Sequence, residues 1–240
     1  QIINNSERNC KNYLGGAPAN VACALSKLGV HTEFVGCLGD DEFGKEFINL
    51  FQDLGVNIQS TQIDKNCSTR IIKVCINDEG DRSFAGFVNS QKNFADEMLD
   101  RKVFESSEIS LPTLFKETRY FITGTNLLAS DKSSEALLFL VEYASKSGVS
   151  IVIDANWREI FWDNLDKSSQ IQRQDHIQKI KKFLLNGDIL KLSNEEAILF
   201  FGNNNPLLIS QSLSKKPDVI ITNGDKPISW FINGFQDTTK

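Results

Sequence analysis

The chain has 240 residues, 40% hydrophobic and 24% charged, with a formal net charge of −5, which is enough to bury one substantial core and is the composition of an ordinary globular protein. Its 26 basic residues are scattered among 31 acidic ones, which argues against a nucleic-acid footprint, since phosphate backbones are met by clustered Lys and Arg. No stretch approaches the roughly 18 apolar residues of a membrane span, and Gln1 to Arg8 lacks the apolar core of a signal peptide, so the expected compartment is the cytosol.

In chain order, Val21, Cys23, Ala24, Leu25 and Leu28 predict a helix from Asn20 to Leu28, stopped at Gly29 by a positive φ. A strand is expected from Thr32 to about Gly36. Asp40 or Asp41 can then cap a helix with the apolar stripe Phe43, Phe47, Leu50, Phe51 and Leu54, ending at Gly55. The middle changes character: the strand-like runs Arg70 to Ile76 and Arg82 to Val88, separated by the polar turn Asn77 to Asp81, read as a hairpin.

After it, strands and helices alternate: strand Tyr120 to Thr123, helix Asp131 to Ser147, strand Ser150 to Asp154, helix Gln170 to Leu185, strand Asp188 to Leu192, helix Asn194 to Phe201, strands Val219 to Thr222 and Ile228 to Ile232. Gly202 to Pro206 reads as a short loop. That alternation predicts one α/β domain over residues 1–240, built on a parallel sheet covered by helices and carrying a small β excursion.

Five cysteines, at 10, 23, 37, 67 and 75, are odd in number and never spaced Cys-x-x-Cys, so neither a disulfide framework nor a zinc site is favoured. Neither His31 nor His176 sits in a catalytic or metal-binding motif. Chemistry must therefore rest on carboxylates, backbone amides and cations.

Four constellations could carry it. Gly15-Gly-Ala-Pro-Ala-Asn20 opens a helix: two adjacent glycines allow a ligand to approach the backbone closely, and Asn20 offers both a donor and an acceptor to hydroxyl groups, although a plain loop with a helix cap would look the same. Asp154-Ala-Asn-Trp-Arg158 follows a strand, where ligands of open α/β sheets bind; a capping Asp beside a surface Arg is the bland alternative. Lys191-Leu-Ser-Asn-Glu-Glu196 also joins a strand to a helix and reads equally as an N-cap with acidic first-turn residues. Thr222-Asn-Gly-Asp-Lys226 closes a further strand. The dinucleotide fingerprint Gly-x-Gly-x-x-Gly is absent, which weakens a dehydrogenase reading.

The run Gly15 to Ala22, then Gly29, then Val35-Gly-Cys-Leu-Gly-Asp-Asp-Glu-Phe-Gly44 resembles the N-terminal signature of the pfkB (ribokinase-like) carbohydrate kinases. Asp154-Ala-Asn-Trp-Arg-Glu-Ile-Phe-Trp162 looks most like the fructokinase-type branch of cyanobacteria and plastids. This resemblance implies a ribokinase-like, Rossmann-type three-layer sandwich with a small β lid, formed by about residues 5–14 and 66–90, that closes over a sugar and excludes water.

It implies that Gly15, Gly16, Asn20, Asn156 and Arg158 bind the sugar, with Arg158 also supporting the transferred phosphate. Lys191, Glu196, Thr222 and Gly224 would serve the nucleotide, and Glu196, in the register of the family's Asn-x-x-Glu element, a metal ion. Ser193 stands where that element has Asn, and Pro227 where the nucleotide loop Thr-x-Gly-x-x-Gly has its second Gly. The implied cofactors are ATP and Mg²⁺, with K⁺ as a further cation. The implied partners are small molecules, with pairing into a homodimer through the lid, in the cytosol or, in a plant, the plastid stroma.

In the family the catalytic base is the last Asp of Asp-Thr-x-Gly-Ala-Gly-Asp. Asp237-Thr238-Thr239 resembles its beginning, so the base is expected after Thr239. The strand that precedes the Gly-Gly motif in the family is likewise not seen. The expectation is thus a partial chain of a fructokinase, incomplete at both ends and with loops missing near Asn89 and Gln236. The rivals are a catalytically silent relative that keeps a binding or scaffold role, and a kinase for another sugar such as ribose or ketodeoxygluconate.

Overall fold

The structure, a computed structural model, describes residues 2–4, 13–76, 82–88, 93–106, 108–162 and 170–239. The chain divides into two compact units, Gln1–Ile109 and Ser110–Lys240.

In the first unit β1 (Ile2–Asn4) pairs in parallel with β4 (Ile72–Ile76), which pairs antiparallel with β5 (Arg82–Phe87). The expected hairpin is therefore present. Its turn, 77–81, and the parts 5–12 and 89–90 of the expected lid lie outside the described residues. Arg70, at the foot of β4, contacts both Asp96 oxygens from Nε at 3.0 Å, meets Glu97 at 2.5 Å, and lies against the rings of Phe87 and Phe94.

Helix α1 (Ala17–Lys27) begins three residues before the expected Asn20, because Pro18 is tolerated in a first turn that needs no intrahelical N–H donor. It stops at Gly29, φ 81°. The next strand also departs from expectation. Glu33 makes only a single bridge to Asn57, and the ladder proper is β2 (Gly36–Gly39) against β3 (Thr61–Asp64). The reason lies in the partner, which turns at Ile58 to Thr61, where the Thr61 N–H donates to the Ile58 carbonyl; no parallel run can form until that turn is complete.

Asp41 is the residue that caps α2 (Glu42–Asp53). Phe47 and Phe51 are buried, ring to ring at 5.9 Å, and join Ala19, Ala22, Leu38 and Val56 in the unit's core; Phe43, Leu50 and Leu54 of the expected stripe are half-buried. The short helix α3 (Arg101–Glu105) ends the unit.

The second unit opens with α4 (Leu111–Phe115) and is built on a six-stranded sheet of order β11-β10-β9-β8-β7-β6. Its parallel part comprises β6 (Tyr120–Thr123), β7 (Ser150–Asp154), β8 (Ile189–Ser193) and β9 (Asp218–Asn223), linked by α5 (Asp131–Lys146), α6 (Gln170–Leu184), α7 (Asn194–Phe201) and α8 (Pro206–Ser212). Along β7, β8 and β9 every second side chain is sealed: Ile151, Ile153, Leu190, Leu192, Val219 and Ile221 are at most 2% exposed. Burying side chains of this size stabilises by about 1.5–3 kcal/mol each, which makes these three strands the rigid floor of the unit.

The stretch after Gly202, expected only as a loop, leads directly into α8, whose N-terminus Asn205 caps by accepting from the N–H groups of Leu207 and Leu208. Strand β10 (Lys226–Ile232) turns at Asn233 and Gly234, φ 51° and 83°, into β11 (Phe235–Thr238). Ile232 to Ser229 pair with Phe235 to Thr238 without a slip across this two-residue turn.

Candidate functional site

The candidate residues of the second unit gather at the carboxyl ends of its parallel strands. Register sets Asp154 of β7 beside Lys191 of β8, and Ser193 of β8 beside Thr222 of β9. Ligands of open α/β sheets bind outside these ends, because the chain leaves the sheet there through loops and helix N-termini that carry free amides.

The Lys191 ammonium donates to both Asp154 oxygens, at 3.0 and 3.1 Å, in a half-exposed pair that leaves the cation at the strand ends. Beyond Asp154 the backbone is held at successive points. The Ala155 N–H donates to the Lys191 carbonyl at 3.0 Å. The Ala155 carbonyl accepts from the hydroxyl of Thr125, a fully buried residue, at 2.6 Å. The Trp157 N–H donates to Glu196 Oε1 at 2.7 Å. Asn156 lies between these anchors with φ 37°, a left-handed conformation that Asn tolerates better than other side chains with a Cβ. Arg158 donates from Nη1 to the Trp157 carbonyl at 2.9 Å.

Glu196 is 6% exposed. It closes a reciprocal cap with Ser193: the Glu196 N–H donates to Ser193 Oγ at 3.2 Å, and Glu196 Oε2 accepts the Ser193 N–H at 2.7 Å. Thr222 donates to the Leu192 carbonyl at 3.4 Å, and the exposed Gly224, φ 58°, turns β9 into β10. Sequence reasoning missed Thr125, whose signal was a small polar residue just past the end of a strand, and it missed the backbone of Trp157, which no side-chain motif could have revealed.

In the first unit, Gly15 and Gly16 are exposed, and a Cβ on either would meet nothing within 4 Å. Gly16 takes φ 109°, which favours glycine, and accepts the Asn20 N–H at 2.9 Å. Asn20, the fourth residue of α1 rather than its cap, is exposed. The loop therefore offers bare backbone and one amide side chain to solvent.

The second half of the signature has a different environment. A Cβ on Gly44 would lie 2.0 Å from the Gly39 carbonyl oxygen, and one on Gly39 would lie 2.6 Å from the Thr69 nitrogen. Asp41 ties the same knot, accepting the Gly44 N–H at 2.8 Å and the Thr69 N–H at 2.7 Å, while the Gly39 N–H donates to Thr69 Oγ1 at 3.0 Å. Burial alone would raise the Asp41 carboxyl, but the Gly44 and Thr69 hydrogen bonds, with Lys45 nearby, outweigh it and hold the group below its ordinary value. These residues fasten β2 and α2 to the segment before β4.

Among the described residues no group of three or more His, Cys, Asp or Glu side chains could hold a metal ion, and no helix is long and apolar enough to cross a membrane.

Comparison with known proteins agrees with the geometry. The pattern of the pfkB family carbohydrate kinases matches residues 3–239. The chain is 30% identical over 225 residues to a probable fructokinase-5 of Arabidopsis thaliana, covering 92% of this chain and 64% of the relative. It is 32% identical over 225 residues to fructokinase-2 of Zea mays, covering 92% and 62%. It thus spans just under two thirds of the length of these relatives.

A crystal structure of fructokinase from Xylella fastidiosa superposes with a TM-score of 0.76 at 24% identity, covering 93% of this chain and 67% of that one. The fructokinase of Vibrio cholerae O395, in a form with bound fructose, ADP and calcium ion, gives 0.75 at 22% identity, covering 99% and 72%. The fold is that of the ribokinase-like α/β kinases, as the sequence predicts.

Proposed function

We propose that this chain, which belongs to the pfkB family of carbohydrate kinases, carries the substrate-binding side chains of an ATP-dependent sugar kinase that converts fructose to fructose 6-phosphate. The observation that carries this reading is the set of Asp154 to Arg158, Lys191 to Glu196 and Thr222 to Gly224 on neighbouring carboxyl ends of parallel strands. The Arabidopsis and maize relatives named as fructokinases support the choice of sugar, and the Vibrio enzyme holding fructose with ADP supports the pair of ligands.

In this reading Gly15 and Gly16 give the sugar a bare backbone to lie against, and Asn20 hydrogen-bonds its hydroxyls. Asn156 orients the sugar, and Arg158 meets the charge of the transferred phosphoryl group with its forked donors. Lys191 faces nucleotide phosphate, while Thr222 and Gly224 leave room for the nucleoside. The primary hydroxyl attacks the γ-phosphorus, the bond to the β–γ bridging oxygen breaks, and ADP leaves. The hydroxyl proton passes to an Asp expected after Thr239.

Mg²⁺ suits this donor set, because it takes one or two carboxylates and fills the rest of its shell with water and phosphate oxygens; Asp154 and Glu196 provide carboxylates at the strand ends without forming a full cage. When bound, the ion would neutralise charge on the phosphates. Each Glu196 oxygen already accepts one backbone amide, and by the family resemblance the carboxylate would reach the ion through water.

The lid over residues 5–14 and 66–90, pairing through it, a requirement for K⁺ and a cytosolic or plastid location belong to the same proposal. A coupled ADP-release assay of the full-length protein against fructose, ribose, ketodeoxygluconate and adenosine tests it. The expected result is the highest kcat/KM with fructose. A folded protein that binds ATP and turns over none of them is a silent relative, and the kinase reading is then wrong.

A further inference from the structure

We infer that Glu196 is a positioning residue for the Asn156–Arg158 loop, presetting the two side chains that flank Trp157 before a ligand arrives. The inference rests on the kinase reading above, in which those two side chains meet the sugar and the phosphate.

A reciprocal helix cap needs one carboxylate oxygen, and Glu196 meets that need with Oε2 on the Ser193 N–H at 2.7 Å. The cap does not account for Oε1, which reaches a residue 39 positions away in sequence and accepts the Trp157 N–H at 2.7 Å. The carboxylate is buried, and each of its oxygens takes a backbone N–H in a charge-assisted bond, the strong kind.

Phe200 stands four residues further along α7, hence on the same face, and meets the Trp157 ring edge-on at 6.0 Å and 61°. One face of α7 therefore grips residue 157 twice, by its backbone through Glu196 and by its ring through Phe200.

Position 155 is fixed with equal care, by the Lys191 carbonyl on one side and the Thr125 hydroxyl on the other. Asn156 is left suspended between two clamped neighbours at φ 37°. An uncommon backbone conformation of this kind persists where the surroundings over-determine it. If the Trp157 clamp opens, Asn156 relaxes toward ordinary φ, and Arg158 swings with it. Placement of reacting groups is sensitive to shifts of this size, which is how a residue that touches neither substrate can govern turnover.

The test uses the full-length protein with Trp162→Phe and Trp230→Phe, leaving Trp157 as the single indole of the described chain. Glu196→Gln keeps the size but sets an NH₂ group against one of the two N–H donors. Hydrogen exchange at the Trp157 amide should accelerate about tenfold or more, and the Trp157 emission should shift to the red. The KM for sugar should rise and kcat fall; because the same carboxylate also serves the ion in the kinase reading, a shift in the Mg²⁺ activation profile is compatible with either role, and exchange and emission at Trp157 are the readouts that report the loop.

Glu196→Asp, too short to span both amides, should free the Trp157 amide in the same way. Unchanged exchange and emission, with a displaced Mg²⁺ profile, would mean the carboxylate serves the ion and not the loop, and an unprotected Trp157 amide in the wild-type protein would overturn the clamp outright. Exchange and emission are read without turnover, so a protein that phosphorylates no sugar would refute the kinase reading while the clamp is still judged on its own data.

Discussion

Replacing Gly44 by alanine places a methyl carbon 2.0 Å from the carbonyl oxygen of Gly39, 3.1 Å from its carbonyl carbon and 3.2 Å from Thr69 Oγ1. Non-bonded heavy atoms rest at about 3.5 Å or more, so α2 and β2 must part by roughly 1.5 Å. Gly39 cannot retreat, because it is packed against the backbone of Thr69 and Cys67 and bonded to Thr69 Oγ1 at 3.0 Å. Overpacking against backbone costs about 1–3 kcal/mol. The displaced helix start also weakens the Asp41 cap, about 1 kcal/mol, which roughly cancels the gain of about 1 kcal/mol from placing Ala instead of Gly in a helix.

The expected net loss is therefore about 1–3 kcal/mol, read as a lowered urea midpoint by circular dichroism with an unchanged slope. A midpoint at or above wild type would refute the close approach, leaving only the propensity gain. Unchanged stability with lost sugar binding would refute it differently, by making Gly44 a ligand contact rather than a packing glycine.

Two further outcomes follow from the same geometry. Asp41→Asn keeps the Oδ1 cap on Gly44 but turns an NH₂ group toward the Thr69 N–H, at a cost of about 1–2 kcal/mol at pH 7. Because the folded-state carboxyl sits below its ordinary value, its contribution is fully present above about pH 4 and fades as the pH falls through the folded value. Urea midpoints for both proteins between pH 7 and pH 3 should therefore converge in acid, and a constant gap contradicts the assignment. Asn20→Ala should raise the KM for sugar far more than that for ATP in steady-state kinetics, and the reverse pattern would give the Gly15 loop to the wrong ligand.

Much of the fold was legible because short, strictly bounded strands alternate with helices in the second unit: Ser150–Asp154 and Asn194–Phe201 match their expected ends. Two local signals present in the sequence were not read. Asn205-Pro206 is a cap followed by a first-turn proline, and Asn233-Gly234 is the dipeptide of a tight hairpin. The early strand was misplaced for a nonlocal reason, since its ladder starts only where Thr61 becomes available.

At the candidate site, the motifs from Asp154 and Lys191 were legible as residues at strand ends. What stayed hidden was the backbone: the amides of Ala155 and Trp157 carry no sequence signature, and the capping box Ser193 to Glu196 gave no sign that its carboxylate had a second partner. The Gly-Asp-Asp stretch posed the opposite problem. It belongs to a family signature, and the structure shows Gly39, Asp41 and Gly44 engaged with the chain's own backbone.

The central claim is that a phosphoryl group moves from ATP to a sugar hydroxyl and not to water. The most direct measurement is the fate of γ-labelled phosphate when the full-length protein is incubated with ATP, Mg²⁺ and fructose, resolved by phosphorus–proton correlation spectroscopy. Label is expected on the C6 oxygen of fructose in step with ADP release. Label found only in inorganic phosphate, or none released at all by a folded, ATP-binding protein, would contradict it.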